Sequence, residues 1–174
     1  QQNYFGYLWN TIKILLFNLV FVPLSSSVCA YAFARLRFPG KELIFALVLG
    51  TMMIPGSVIQ IPIYVMYSFL GLTETPWPMM LPAAFGGGAM NIFLLRQFIR
   101  NIPSEIESAA KIDGASTFRI YLTIVIPLCG PIILYVMVGT FSSVWSDFFG
   151  PLVYLTQPEK YTLAGAIYYD SLIN

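Results

Sequence analysis

The feature that most constrains this sequence is a set of four long apolar runs that contain almost no charge. One of them lies between Glu42 and Glu74 and has no charged residue at all. A membrane-spanning helix needs about 20 apolar residues, and all four runs reach that length. With 57% hydrophobic and 10% charged residues, against about 25% charged in soluble proteins, the chain is predicted to be an all-α membrane protein. The predicted spans are about 12–34, 43–70, 79–98 and 120–149.

Helix-breaking residues interrupt the second of these runs. Pro55, Gly56 and Pro62 lie near its middle. Proline removes a backbone donor and clashes with the preceding helical turn, so the second span is predicted to be kinked or interrupted. An ordinary proline kink and a kink that lines a transport pathway both fit this pattern. The glycine run at 86–88 likewise fits close helix packing, which is favoured, or a hinge.

The basic residues are divided unequally between the segments that alternate around the four spans. Lys13 and Lys160 lie on one side, and the other seven lie after the first and third spans: Arg35, Arg37, Lys41, Arg96, Arg100, Lys111 and Arg119. The positive-inside rule therefore predicts that loop 99–119 is cytoplasmic. The N-terminus, segment 71–78 and loop 150–174 are then predicted to lie outside. The net charge of +1 gives no basic footprint for nucleic acid.

A polar, alanine-rich segment within loop 99–119 predicts a short cytoplasmic helix. Ser104 can cap its start, and Glu107 three residues later predicts a capping box. Glu105 and Glu107 also suit the positive end of a helix dipole.

The end of that helix is marked by Asp113 and Gly114. Glycine commonly ends a helix in the left-handed conformation, and Ser116 can cap the helix that follows. Ala109 and Ala110 allow close docking into the groove of a partner subunit. The plainer alternative is an ordinary solvated loop helix.

The same segment resembles the signature of one transporter family. That signature is Glu-Ala-Ala, three residues, Gly, nine residues and Ile-x-Leu-Pro. This chain has Ser-Ala-Ala at 108–110, Gly114 and Ile-Val-Ile-Pro at 124–127. Ser108 replaces the signature glutamate, and Ile126 replaces leucine. The sequence thus resembles the inner-membrane permease subunit of a binding-protein-dependent ABC importer.

Further matches resemble the maltose-type and glycerol-phosphate-type sugar permeases of that family. They lie at 30–35, 38–41, 52–55, 61–64, 70–72 and 145–152. The resemblance implies a polytopic transmembrane helix bundle of the ABC importer permease type, with a cytoplasmic coupling helix and six spans in a complete chain. About four fall within this sequence, which begins with Gln-Gln-Asn. Residues 1–174 are therefore expected to form one incomplete permease domain of a longer protein.

The resemblance also implies the partners of the chain. They are a second permease subunit, a dimeric ABC ATPase, an extracytoplasmic sugar-binding protein and the lipid of a bacterial-type inner membrane. ATP and Mg are expected on the ATPase, since this chain has no GxxxxGK[ST] phosphate-binding motif. The chain is predicted to be non-catalytic, with no cofactor or metal of its own. The residues expected to couple to the ATPase are Glu105, Glu107, Ser108, Ala109, Ala110, Asp113 and Gly114.

Polar and helix-breaking residues within the spans are candidates for the translocation path or its gate. They are Pro55, Gly56, Gln60, Asn91, Trp145 and Asp147. A charge near membrane depth, as at Asp147, indicates function by default, and the alternative is a cap for local backbone amides. Two roles fit the amide side chains of Asn18, Gln60 and Asn91. They could line a sugar path or, as favoured here, form hydrogen bonds between helices.

Two other classes of function compete with an importer permease. A secondary transporter or channel subunit is the alternative, but ion coupling usually needs charged groups inside the membrane. The second run and the third, which is uncharged from Thr75 to Leu95, are taken to offer none. An intramembrane enzyme is disfavoured, because the sequence has no HExxH motif, no histidine and no pair of aspartates on separate spans.

Overall fold

The computed structural model describes residues 4–173, which form helices joined by short loops, with no strand among them. In chain order the helices are α1 (Tyr4–Arg35), α2 (Lys41–Thr51), α3 (Gly56–Phe69), α4 (Trp77–Ala84), α5 (Ala89–Asn101), α6 (Ser104–Ile112), α7 (Thr117–Ile120), α8 (Ile126–Leu128), α9 (Gly130–Ser146), α10 (Phe149–Tyr154) and α11 (Leu163–Ile173). A π-helical turn, Tyr121–Val125, joins α7 to α8, and a 3-10 turn, Pro158–Lys160, precedes α11.

The lengths and composition of these helices agree with the predicted fold class, an all-α membrane protein. Helix α1 and the continuous segment Trp77–Asn101 are each long and apolar enough to cross a membrane. Helices α2 and α3 pass the same test only when they are taken as one segment, which bends by 100°. The segment from α7 to α9 also passes as one unit, with a bend of 76°. If each bent pair is one span, the described residues contain up to four.

The bend between α2 and α3 lies where the sequence predicted a break. Helix α2 ends at Thr51, and Pro55 is the N-cap of α3 with φ −58° and ψ 131°. Pro62 lies inside α3 without ending it. A proline inside a helix removes one backbone bond, which α3 tolerates, so only the first proline position breaks the chain.

Helix α1 is the centre of the bundle, and α4, α5 and α9 pack around it. Polar side chains on α1 hydrogen-bond to carbonyl groups of α4: Ser25 Oγ donates to Ala83 O over 2.5 Å. These bonds satisfy carbonyls that the short helix leaves free at its end. The main apolar core comprises Val22, Ala30, Tyr31, Ala83, Leu95, Ile99, Ile102, Ile120, Tyr121, Val125, Cys129 and Val136.

The glycine run at 86–88 allows a close approach between the α4–α5 break and α1. All three glycines have positive φ. A Cβ atom on Gly87 would lie 2.8 Å from Val22 O and 3.0 Å from Val22 Cα. No side chain fits into that space, which supports the close-packing interpretation of the run.

Arg96 fixes α2 and α1 against α5 inside the protein. The residue is only 5% exposed, and its guanidinium lies 4.0 Å from the centre of the Phe45 ring. Its Nε donates to Phe33 O over 3.3 Å, and its Nη2 lies 3.4 Å from Glu42 Oε2. A buried arginine needs such partners to offset its lost hydration, so this side chain specifies how three helices meet.

The π-helical turn after α7 packs against α1. Tyr121, the first residue of the turn, shares a hydrogen bond of 2.8 Å with Ser27 through the two hydroxyl groups. Pro127 follows shortly afterwards and lacks the N–H that an α-helical bond to the carbonyl of Thr123 would need. The wider turn therefore occurs where regular α-helical bonding ends.

Two of the three segments predicted to lie outside the membrane, 71–78 and 150–174, meet at one end of the bundle. Glu74 N donates to Tyr154 O over 2.8 Å, and Thr156 N donates to Glu74 Oε1 over 2.8 Å. Lys160 Nζ donates to Glu74 O over 3.1 Å. Among the described residues, Glu74 is the one residue other than glycine with positive φ, at 65°. Its backbone and side chain thus join the loop before α4 to the loop after α10.

Candidate functional site

Helix α6 contains most of the residues predicted to couple to an ATPase, and it exposes much of its surface. Glu105, Ser108 and Ala109 are exposed, and Ala110 is half-buried. Apolar side chains are also exposed here, since Ile112 at the end of α6 is 87% exposed. The exposed surface of α6 therefore presents both polar and apolar side chains.

The predicted capping box at the start of α6 is wrong. The N-cap residue is Pro103, and no side chain makes a cap bond there. Ser104 is instead the first residue of the helix, and its carbonyl accepts a bond from Ser108 Oγ over 3.0 Å. Glu107 turns inward, because a nearby guanidinium offers its carboxylate a full opposite charge rather than a backbone dipole.

Glu107 is only 4% exposed, and its two oxygen atoms face two residues of α1. Oε1 lies 2.6 Å from Arg35 Nε, and Oε2 accepts a bond from the Tyr31 hydroxyl over 3.4 Å. The contact with Nε is an ion pair rather than an aligned hydrogen bond, because neither atom has a hydrogen-bond partner. A buried carboxylate that lost this cation would be left uncompensated.

Arg35 also contacts the end of α5. Its Nη2 donates to Ile99 O over 2.9 Å and to Ile102 O over 2.5 Å. Both carbonyls lie where a helix presents its negative end, which favours a cation. One arginine therefore joins the end of α1, the end of α5 and the inner face of α6.

The turn after α6 is the glycine-dependent one that the sequence predicted. Gly114 has φ +81°. Gly114 N donates to Lys111 O over 3.0 Å, and Ala115 N donates to Ala110 O over 2.9 Å. These two bonds form a Schellman motif. Asp113 is the exposed C-cap residue.

The next helix begins as predicted, and it adds a second exposed apolar residue. Ser116 Oγ accepts the N–H of Arg119 over 3.3 Å, which caps α7. Phe118 on α7 is 69% exposed and lies close in sequence to Ile112. The sequence reasoning missed these two residues because exposure of single apolar side chains cannot be seen in so apolar a chain.

A cavity of about 430 Å³ lies between α1, the α4–α5 break and α9. We call it the central cavity. Polar groups from all three parts line it, among them Asn18, Asn91, Thr140 and Ser143. Asn91 Nδ2 donates to Gly87 O over 2.6 Å, within its own helix turn.

A smaller cavity of about 170 Å³, the upper cavity, shares Asn18, Ser143 and Val144 with the central cavity. Asp147 also lines it. Asp147 Oδ1 accepts the N–H groups of Phe149 over 3.1 Å and of Gly150 over 3.0 Å. The side chain therefore caps local backbone amides, the plainer of the two interpretations considered from the sequence.

The structure brings together only part of the predicted translocation path. Asn91 and Asp147 line the two adjacent cavities. Gly56 and Gln60 on α3 and Pro55 at its N-cap line neither of them. Trp145 stacks on Phe141 at 5.6 Å between ring centres and also lines neither cavity.

The sequence reasoning missed the inward partners of α6. Arg35 was considered as a basic residue that indicates sidedness and, with Tyr31, as part of a family motif. Glu107 was assigned to the helix end. No local pattern connects a side chain on α1 to one on α6, so the contact becomes visible only in three dimensions.

Residues 24–172 match the family described as binding-protein-dependent transport system inner membrane component. The chain belongs to this family. It is 34% identical over 165 residues to the galactooligosaccharides transport system permease protein GanQ of Bacillus subtilis (strain 168), which covers 95% of this chain and 58% of GanQ. It is 33% identical over 155 residues to the arabinooligosaccharides transport system permease protein AraQ of Halalkalibacterium halodurans, which covers 89% of this chain and 53% of AraQ.

This inner membrane component also shares its fold with a solved structure. A bacterial ABC transporter involved in the import of the acidic polysaccharide alginate matches 99% of this chain with a TM-score of 0.87 and 24% identity. The match covers 60% of that transporter chain. The chain thus spans a little more than half the length of the relatives it matches, and the fold class predicted from the sequence is confirmed.

Proposed function

We propose that this chain is part of the membrane permease subunit of an ATP-driven ABC importer for carbohydrates. The observation that carries the proposal is the exposed helix α6, held on the bundle by the Arg35–Glu107 ion pair, in a member of the inner membrane component family. The substrates in the names of two relatives, galactooligosaccharides and arabinooligosaccharides, support a carbohydrate.

Helix α6 docks into a cleft of a dimeric ABC ATPase. Its outer face offers Glu105, Ser108 and Ala109, and the exposed side chains of Ile112 and Phe118 extend the surface past the Gly114 turn. A short helix with apolar anchors suits a groove in a partner. ATP and Mg bind the ATPase, and this chain is a non-catalytic subunit without a cofactor of its own.

A second permease subunit completes the membrane domain, and an extracytoplasmic sugar-binding protein delivers the substrate. The central cavity of about 430 Å³ falls in the range of small-molecule sites, about 300–1,000 Å³. It is therefore the part of this chain that contributes to the translocation path, with Asn91 in its wall.

The loop that contains α6 lies in the cytoplasm of a bacterial-type cell, and the N-terminal end of α1 lies outside. Arg35 and Arg96 are paired inside the protein and so contribute little to sidedness. Five basic residues remain on the α6 side against two on the other, which supports this orientation.

The test is to purify the full-length protein with its partners and reconstitute the complex in liposomes. Sugar uptake should require the binding protein and ATP on the side of the ATPase. Uptake that follows a proton or sodium gradient without ATP would instead support the alternative, a secondary transporter or channel subunit. Thiol labelling of Ser108→Cys from each side of the membrane tests the orientation independently.

A further inference from the structure

Asn18 lies at the junction of the central and upper cavities and has an unused acceptor. The residue is 7% exposed, and its Nδ2 donates to Ile14 O over 2.9 Å and to Met79 O over 3.2 Å. Both partners are carbonyls, which fixes the orientation of the amide. Its Oδ1 has no donor among the described residues, although the side chain lines both cavities.

Ser143 on α9 lines the same two cavities. Its hydroxyl group forms no hydrogen bond within the described residues, and the side chain is exposed. A hydroxyl can donate one bond and accept two. The junction therefore offers a free acceptor from α1 and a free donor and acceptor from α9.

The charges around the junction limit what can bind there. No charged side chain is among the described residues that line the central cavity. Asp147 lines the upper cavity, and its carboxylate would repel an anion. Two lysines, Lys13 and Lys160, line an outer cavity that adjoins the upper cavity at Ile14 and Met79. Neither lysine lines the central or the upper cavity, and Lys160 Nζ lies 3.9 Å from Glu74 Oε2.

We infer that Asn18 and Ser143 form a neck that hydrogen-bonds the hydroxyl groups of a neutral carbohydrate as it passes between the two cavities. Asp147 beside the neck disfavours sugars that carry a carboxylate. This inference rests on the proposed function and names the substrate class: neutral rather than acidic oligosaccharides. The alginate importer shares the fold but concerns an acidic polysaccharide, so the substrate class differs between the two.

The experiment uses the full-length permease with its partner subunits in liposomes. The probes are short neutral oligosaccharides from galactan and arabinan and short acidic oligosaccharides from alginate, with uptake measured by mass spectrometry. The wild-type complex should import neutral probes in preference to acidic ones. With the binding protein saturated by the best neutral probe, Ser143→Ala should lower the rate of uptake by about 2- to 10-fold, the effect of one lost hydrogen bond.

Ser142→Ala is the matched control, because Ser142 is the exposed neighbour on the same helix and lines neither cavity. Its rate of uptake should equal that of the wild type. Asp147→Asn retains the oxygen that caps the backbone and removes the charge, so uptake of the alginate probe should increase several-fold relative to the neutral probe.

The outcomes separate the two proposals. Equal, wild-type rates of uptake for Ser143→Ala and Ser142→Ala, with the binding protein saturated, overturn the neck and leave the proposed function standing. A preference for the alginate probe overturns the substrate class. No ATP-dependent uptake of any probe overturns the proposed function and the neck with it.

Discussion

Arg35 Nε and Glu107 Oε1 lie 2.6 Å apart, and this contact joins the last residue of α1 to the middle of α6. The side chains are 16% and 6% exposed, so the pair is shielded from solvent. Because Arg35 also binds the carbonyl end of α5, a displacement of α6 cannot leave α1 and α5 unchanged. In the proposed importer, this junction transmits movement between the ATPase and the spans.

The first prediction concerns that ion pair. Arg35→Gln leaves the buried Glu107 carboxylate without its counter-charge, which costs about 3–5 kcal/mol. The complex should still insert, but the ATP hydrolysed per sugar imported should increase several-fold. Arg37→Gln, at an exposed arginine nearby, should behave like the wild type. Recovery of coupling in the double variant Arg35→Gln, Glu107→Gln would support the pair, and full coupling in Arg35→Gln alone would contradict it.

The second prediction concerns the turn after α6. Gly114→Ala places a side chain at φ +81°, which costs about 1–2 kcal/mol. A Cβ atom added at this position meets no other atom within 4 Å, so the cost comes from the backbone conformation and not from a clash. Gly130→Ala is the control, because its Cβ space is also empty but its φ is not positive.

Binding of the ATPase to the reconstituted permease should weaken in Gly114→Ala and stay unchanged in Gly130→Ala. Gly114→Val should be worse than Gly114→Ala, because a β-branched residue tolerates positive φ poorly. Equal ATPase binding in all three variants would falsify the docking role of this turn.

The sequence sufficed to predict features that depend on local chemistry. The break near Pro55, the left-handed Gly114 and the cap at Ser116 each follow from one residue and its neighbours. The role of Glu107 could not be predicted this way. Its position fits a capping box locally, but a cation from α1 competes for the same carboxylate and prevails. Whether a side chain caps its own helix or pairs with another helix depends on contacts between helices distant in sequence. The periodicity of one helix carries no information about those contacts.

The third prediction concerns the bend of 100° between α2 and α3. Replacing Pro55 and Gly56 together by leucine restores a backbone donor and removes the flexible glycine. The two helices should then straighten, and sugar uptake should fall while the complex still assembles. Pro62→Leu is the control, because Pro62 lies inside α3 without breaking it. Wild-type uptake in the double variant would show that the bend serves packing and has no role in transport.

The fourth prediction concerns the outer contact around Glu74. Hydrogen bonds from Thr156 lower the pKa of Glu74 below its usual value of 4.5, and Lys160 adds to the effect. A lowered folded-state pKa stabilises the contact above the unfolded value, and this stability is lost as the pH falls through the folded pKa. The protection factors of the amides at residues 154–162, corrected for the intrinsic exchange rate at each pH, should therefore fall as the pH is lowered through the pKa of Glu74.

In Glu74→Gln, the amides at residues 154–162 should be less protected from exchange than in the wild type at neutral pH. They should lose little further protection in acid. Glu159→Gln is the control, because only its backbone carbonyl takes part, as an acceptor for Asn10 Nδ2. A wild-type loop whose protection does not change with pH would contradict the role of the Glu74 carboxylate.

The π-helical turn Tyr121–Val125 sets the rotational phase of α8 and α9 relative to the Gly114 turn. Each residue of an α-helix advances the next by about 100°, and a π-helical turn holds one residue more than regular α-helical winding would. Deleting a single residue there would rotate α8 and α9 by about that angle relative to Gly114. Thr140 and Ser143 would then face away from α1 and the central cavity would lose its polar wall, although every helix remained intact. The number of residues in this short turn therefore decides which face of α9 meets the central cavity.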